Sequence, residues 1–142
     1  MQEKSLYPVV ARYFRRKGYV VFVDDYRFHY YFGMRPDILA VDLDNNEIVV
    51  VEVKARPRYS LYQLYRYTLI SDYVYLALPI HVPLDEVVLK AMLLGVGIMR
   101  IKNGDIYITY QAKKQRPYWI TKEAVLRRVK MMLESTSEND MR

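Results

Sequence analysis

The sequence predicts an α/β domain in which helices flank a central mixed β-sheet. Segments with helical and β periodicity alternate along the chain, in the order helix, three strands, helix, strand, helix and further strands. A turn-rich break between two β-branched runs also predicts a hairpin within the first half of the chain. The 142 residues are enough for one domain with a substantial core, and we expect an extra helix near the C-terminus.

The composition is that of a globular protein, with 52% hydrophobic and 27% charged residues. The chain has no apolar run of about eighteen residues and does not open with a secretory signal, so we expect a cytoplasmic protein without a membrane span. The absence of cysteine excludes disulfides and zinc–thiolate sites. With 22 basic against 16 acidic residues, the chain favours a polyanionic partner.

The first helix is predicted between Ser5 and Gly18. Ser5 can cap it, Pro8 is tolerated in its first turn and Gly18 can end it. Its apolar stripe consists of Leu6, Val9, Val10, Tyr13 and Phe14. Residues 19–23 then predict a buried strand.

An aromatic and basic segment, residues 26–35, follows this strand. Two interpretations are equally supported. The rings stack on the bases of a distorted nucleic acid, or they belong to a strand or loop that packs on the core or on a second subunit.

Two charged residues interrupt the second strand of the predicted hairpin. Glu52 and Lys54 lie two residues apart in a run of β-branched residues, so both side chains project from one face of the strand. A charge in a strand of this type is costly unless it is paired, hydrogen-bonded or bound to a metal. Another group must therefore satisfy them.

Asp37, in the first strand of the hairpin, is the expected partner. A loop centred between Asp44 and Asn45 sets Asp37 opposite Glu52, and a tight turn one residue further along sets it opposite Lys54. Both registers place the three side chains on one face, whereas a slip by one residue would send Asp37 to the other face. Two carboxylates and an ammonium in this arrangement suit phosphodiester hydrolysis assisted by a divalent cation.

The residues Pro36-Asp37, followed by Glu52-Val53-Lys54, resemble the signature of the PD-(D/E)xK nuclease superfamily. The resemblance implies a restriction-endonuclease-like core. It also implies that Asp37, Glu52 and the backbone carbonyl of Val53 ligate Mg²⁺ or Mn²⁺, and that Lys54 positions a water or stabilises the phosphorane.

A helix from Ser60 to about Ser71 adds to this resemblance. Gln63 and Tyr67 are four residues apart and share one helix face, which is similar to the extra motif that borders the active site in the RecB-like branch. The basic residues expected to line the approach of a nucleic-acid backbone are Arg35, Arg56, Arg58 and Arg66.

The remaining core elements are a strand at 72–79, a helix that starts at Pro83, and a hairpin at 97–110 with its turn at Asn103-Gly104. The resemblance covers roughly residues 6–110.

A last helix is predicted from the cap Thr121 to about Glu134, followed by a disordered tail, residues 135–142. Its apolar stripe, Leu126, Val129 and Leu133, must bury against the same domain or against a second copy in a homodimer.

The predicted function is that of a Mg²⁺- or Mn²⁺-dependent deoxyribonuclease formed by one domain, residues 1–134. The alternative is an inactive nucleic-acid-binding or scaffold protein with the same fold. Holliday-junction resolvase, restriction-like endonuclease and RecB-like enzyme remain open. So does the participation of Glu3, Asp24 or Asp25 in the metal site.

Overall fold

The computed structural model describes residues 2–56 and 59–140, with side chains up to residue 136. Its helices are α1 (Tyr7–Arg16), α2 (His29–Phe32), α3 (Leu61–Thr68), α4 (Glu86–Leu93) and α5 (Trp119–Asp140). Its strands are β1 (Val20–Val23), β2 (Ile38–Asp42), β3 (Glu47–Val53), β4 (Tyr73–Pro79), β5 (Gly97–Lys102) and β6 (Asp105–Tyr110). Two 3₁₀ turns cover Glu3–Leu6 and Tyr26–Phe28. No helix in the described ranges combines the length and the apolar character needed to cross a membrane.

The six strands form one mixed sheet in sequential order, β1 to β6. The pairs β1–β2, β2–β3 and β5–β6 are antiparallel, and the pairs β3–β4 and β4–β5 are parallel. Parallel neighbours need a crossover, which α3 and α4 supply. The predicted α/β class with a central mixed sheet is therefore confirmed.

The sheet separates two apolar cores. One core, with α3, α4 and α5, contains Leu39, Val41, Ile48 and Val50. The other core, under α1, contains Ile38, Ala40, Val49 and Val51. Successive strand residues alternate between the two cores, as the period of two requires. The predicted flanking of the sheet by helices follows from this alternation.

The central hairpin has the first of the two predicted registers. Ile38 pairs with Val51 and Asp42 with Glu47, so the same register continues to Asp37 opposite Glu52. The Asp42 carboxylate accepts hydrogen bonds from the backbone N–H groups of Asp44 and Asn45. This local bonding fixes the length of the loop and hence the register.

Two further local predictions are confirmed. Ser60 Oγ accepts a hydrogen bond from the Gln63 N–H and caps α3. Asn103 and Gly104 both have positive φ, 51° and 78°, as the tight turn of the second hairpin demands. α3 ends at Thr68, earlier than the expected Ser71.

The predicted starts of two helices are corrected. Ser5 does not cap α1, because its hydroxyl donates to the Gln2 carbonyl within the preceding 3₁₀ turn. α4 begins at Glu86 and not at Pro83, because the Asp85 carboxylate accepts a hydrogen bond from the Val88 N–H and caps the helix there.

The aromatic segment at residues 26–35 is neither a strand nor a simple loop, since a 3₁₀ turn leads directly into α2. Phe28 and Phe32 are fully buried in the core, whereas Tyr26 and Tyr30 are 72% and 88% exposed. The packing interpretation therefore holds for Phe28, Phe32 and the half-buried Tyr31, which packs against the same core.

The C-terminal helix is longer than predicted. α5 starts at Trp119 and continues to Asp140, through residues expected to form a disordered tail. Within that stretch the Thr136 hydroxyl donates to the Met132 carbonyl one helical turn earlier, so this polar side chain is compatible with the helix. Residues 141–142 lie outside the described residues.

The predicted stripe of α5 packs against the protein's own sheet. Val129 is fully buried and Leu126 is 8% exposed, whereas Leu133 is 37% exposed. Lys122 Nζ also lies 2.9 Å from Oδ1 of the buried Asp72. Leu126 and Val129 are therefore buried within the same domain, whereas Leu133 stays partly exposed.

Candidate active site

The first residue of the site is Asp37, which lies immediately before β2. Its Oδ1 accepts a hydrogen bond from the Tyr7 hydroxyl at 2.8 Å, and its Oδ2 accepts one from the Val53 N–H at 2.8 Å. Its backbone carbonyl accepts a hydrogen bond from the Asp24 N–H at 2.8 Å. Asp37 is therefore held from three directions at the end of the hairpin.

The second residue is Glu52. Its side chain lies on the same face of β3 as those of Ile48 and Val50 and is only 4% exposed. Burial, followed by the negative charge of Asp37, raises the pKa of Glu52 from 4.5 to about 9. Lys54 offsets part of this rise, with its Nζ 3.7 Å from Glu52 Oε1. Glu52 Oε2 is buried and has no hydrogen-bond partner among the described residues.

α3 places the predicted pair Gln63 and Tyr67 against these carboxylates. Tyr67 is fully buried, and its oxygen accepts a hydrogen bond from Gln63 Nε2 at 3.4 Å. Burial and the nearby charge of Glu52 raise the pKa of Tyr67, so its hydroxyl stays neutral beside the carboxylate. Each of the predicted side chains Asp37, Glu52, Lys54, Gln63 and Tyr67 is thus found at one end of β3.

Tyr7 is a site residue that sequence reasoning missed. It is the first residue of α1 and is buried in the core under that helix. Burial and the hydrogen bond to Asp37 raise the pKa of its hydroxyl, which stays protonated and able to donate. Thirty residues separate Tyr7 from Asp37, and no local pattern connects two positions so far apart.

The other acidic candidates have different partners. Asp24 pairs with Arg35, at 2.7 Å, and more loosely with Lys4. Asp25 caps the 3₁₀ turn and pairs with Arg27. Among the side chains that the structure describes, no three of His, Cys, Asp or Glu converge as a metal cluster would require. The carboxylates at the end of the hairpin are Asp37 and Glu52.

The predicted basic residues occupy different places around this site. Arg35 is held by Asp24, and Arg66 donates to the Phe32 carbonyl at 3.3 Å. Arg56 is exposed beyond Lys54 and lines a surface cavity together with residues 2–4 and Ala55. Arg58 lies outside the described residues.

The site suits a hard divalent cation. Glu52 Oε2 is a buried polar atom without a hydrogen-bond partner among the described residues, and a buried polar atom is costly when it is unpaired. Burial first, and the neighbouring charge of Asp37 second, raise the pKa of Glu52, which Lys54 only partly offsets. Mg²⁺ takes oxygen ligands and usually keeps several waters, so one or two carboxylates suffice to bind it.

Comparison with known proteins finds similarity to a solved structure but not to a protein family. No protein-family model matches the chain, and no curated protein matches it. Among solved structures, the chain is similar to the SPO1766 protein of unknown function from Silicibacter pomeroyi. The identity is 19%, the TM-score is 0.64, and the match covers 99% of this chain and 94% of the other. At this identity the similarity shows a shared fold, which includes the region of α5.

Proposed function

We propose that this protein is a metal-dependent nuclease of the PD-(D/E)xK type that hydrolyses DNA phosphodiester bonds. The observation that carries the proposal is the meeting of Asp37, Glu52 and Lys54 at one end of the β2–β3 hairpin, with Glu52 Oε2 left without a partner. Carboxylates of this kind are costly to bury in a structural core, so a binding role explains them better than packing does.

The order of elements around the site supports the same proposal. A helix precedes three antiparallel strands, and a second helix then leads to a strand parallel to the third. This is the order expected for a restriction-endonuclease-like core. Asp37 lies immediately before the second of these strands and Glu52 lies in the third, which is the arrangement that the resemblance implies.

In this proposal Asp37, Glu52 and the carbonyl of Val53 hold Mg²⁺ or Mn²⁺. When bound, such a cation would act as a Lewis acid and would lower the pKa of a water molecule that it holds. Tyr7 and the Val53 N–H orient Asp37.

The other residues of the site stabilise charge and geometry. Lys54 Nζ lies 3.7 Å from Glu52 Oε1, where it offsets negative charge that develops on the phosphate. Gln63 and Tyr67 support the buried side of Glu52.

Cleavage assays on supercoiled, linear, single-stranded and four-way-junction DNA test the proposal, each with Mg²⁺, Mn²⁺ or EDTA. We expect cleavage in either metal and none in EDTA. Asp37→Ala and Lys54→Ala should each lower the rate by about 100-fold or more. Asp105→Ala and Lys102→Ala, exposed at the β5–β6 turn, are matched controls that should cleave at the wild-type rate.

The preferred substrate assigns the subclass, because a resolvase prefers the junction and an end-processing enzyme needs a free end. Absence of cleavage on every substrate, with DNA binding that weakens as salt rises, would overturn the proposal. That result would favour a nucleic-acid-binding protein without turnover.

A further inference from the structure

Four exposed tyrosines lie on α3 and on the segment that contains α2. They are Tyr26, Tyr30, Tyr62 and Tyr65, with exposed fractions of 72%, 88%, 68% and 45%. We call these residues the tyrosine rim. In the same two segments Phe28, Phe32 and Tyr67 are fully buried. Each segment therefore has some aromatic rings in the core and others at the surface.

The two parts of the tyrosine rim are joined to each other. Arg66 on α3 donates to the Phe32 carbonyl at the end of α2. Its guanidinium lies so close to Gly33 that a Cβ there would come within 2.4 Å of Arg66 Nη2. The same guanidinium lies 5.9 Å from the ring centroid of Tyr62. Arg66 therefore connects α3 to the end of α2 and places a cation beside one ring of the tyrosine rim.

The tyrosine rim also borders the carboxylates. Tyr62 and Arg66 directly precede Gln63 and Tyr67 along α3, and Tyr67 lies beside Glu52. The ring of Phe32 contacts that of Tyr67, with centroids 6.0 Å apart. A polymer that reaches the carboxylates from this side must cross the tyrosine rim.

We propose that the tyrosine rim binds unpaired nucleotides of a DNA strand, with bases stacked on Tyr30 and Tyr62. An aromatic face recognises a base of any identity, but only a base outside a duplex has a free face to offer. Arg66 lies beside Tyr62 and next to the C-terminal end of α2, which carries Tyr30, where a cation complements the phosphates of the same strand. The inference rests on the proposed nuclease function and deepens it, since it selects single-stranded or locally unpaired DNA over continuous duplex.

The test is a binding measurement without turnover. Fluorescence anisotropy of a labelled single strand, and of the duplex with the same sequence, is recorded in EDTA for the wild type and for Tyr30→Ala, Tyr62→Ala and the double variant. We expect the wild type to prefer the single strand. Loss of each ring should weaken single-strand binding by roughly tenfold and change duplex binding by less than about twofold.

Two sets of controls separate stacking from other effects. Tyr30→Phe and Tyr62→Phe keep the ring and should bind like the wild type. Tyr107→Ala removes a tyrosine that is 50% exposed on β6, at the opposite edge of the sheet from β1, and should also leave binding unchanged. Thermal unfolding of each variant verifies that the fold is retained.

Equal losses for single strand and duplex, or none for either, would overturn the inference. It would also be overturned if the alanine variants changed only the sedimentation of the free protein, because the tyrosine rim would then be an interface between two copies. Binding in EDTA does not depend on cleavage. A protein that never cleaves DNA can therefore still show the predicted preference, and an active nuclease can fail to show it.

Discussion

Glu52 shows how one residue links the fold to the proposed chemistry. Its pKa in the folded chain, about 9, exceeds its ordinary value of 4.5, so the folded state holds a proton that the unfolded chain releases. The resulting stability is complete below about pH 4.5 and declines as the pH rises toward about 9. The metal-free protein should therefore lose stability across the neutral range.

Replacing Glu52 with glutamine should remove this dependence, since the amide does not ionise. In EDTA, Glu52→Gln should be more stable than the wild type by roughly 4 kcal/mol at pH 8 and by about 1 kcal/mol or less at pH 5. Urea unfolding at both pH values measures the difference. Glu123→Gln, exposed on α5, is the control and should follow the wild type. Parallel pH profiles for wild type and Glu52→Gln would contradict the prediction.

Tyr7 carries a second prediction at the scale of a residue. Tyr7→Phe removes the donor to Asp37 Oδ1 and keeps the buried ring. Groups that orient a metal ligand contribute about 10- to 100-fold to metal affinity or activity, so we expect a loss in this range in Mg²⁺ titrations by calorimetry. Tyr13→Phe, which changes a ring packed against Phe14 on the same helix, should bind Mg²⁺ like the wild type. Unchanged affinity in Tyr7→Phe would leave Tyr7 with a packing role only.

Among the elements, α5 is held to the sheet by an ion pair in addition to its apolar stripe. Lys122 pairs with Asp72 Oδ1 at 2.9 Å, and Asp72 Oδ2 accepts a hydrogen bond from the Ile48 N–H. Asp72 is 1% exposed. A buried carboxylate that loses its cation is strongly destabilising.

Lys122→Met keeps the aliphatic stem and removes the charge, so it should lower the free energy of unfolding by about 2 kcal/mol. Glu123→Ala breaks an exposed pair with Arg127 on the same helix and should cost less than about 0.5 kcal/mol. Urea unfolding compares the two variants. If their costs were equal, the contact between Lys122 and Asp72 would behave as a surface pair and would not hold α5 in place.

The elements that the sequence predicts well have local causes. The loop bonded by Asp42, the cap at Ser60 and the turn at Asn103-Gly104 each depend on neighbouring residues. The common face of Glu52 and Lys54 follows from the period of a strand. These local rules predicted the side chains that meet at the candidate site.

What the sequence did not predict depends on distant partners or on competition between two local signals. The bond between Tyr7 and Asp37 spans 30 residues, and that between Arg66 and Phe32 spans 34. No single-sequence pattern encodes such contacts. At the start of α4, Asp85 and Pro83 are both valid start signals, and the bond to the Val88 N–H decides for Asp85.

At the scale of the molecule, charge and stacking should act on DNA in distinguishable ways. The net charge of +6 favours DNA in general, but only cations that contact phosphates make affinity depend on salt. Arg56 is exposed next to the site, and Lys102 is exposed at the far hairpin. Replacing either residue with alanine removes one positive charge, so the two variants differ only in the position of the lost charge.

The slope of log affinity against log salt for a single strand should fall by about 0.7 in Arg56→Ala, the value expected for one lost phosphate contact. Lys102→Ala should keep the wild-type slope. Tyr30→Ala should weaken binding at every salt concentration without changing the slope, because stacking releases no counterions. Anisotropy titrations over a salt series measure all three. If Arg56→Ala and Lys102→Ala had equal slopes of log affinity against log salt, the DNA would not contact Arg56. The strand would then reach the carboxylates from the tyrosine rim without passing the end of β3.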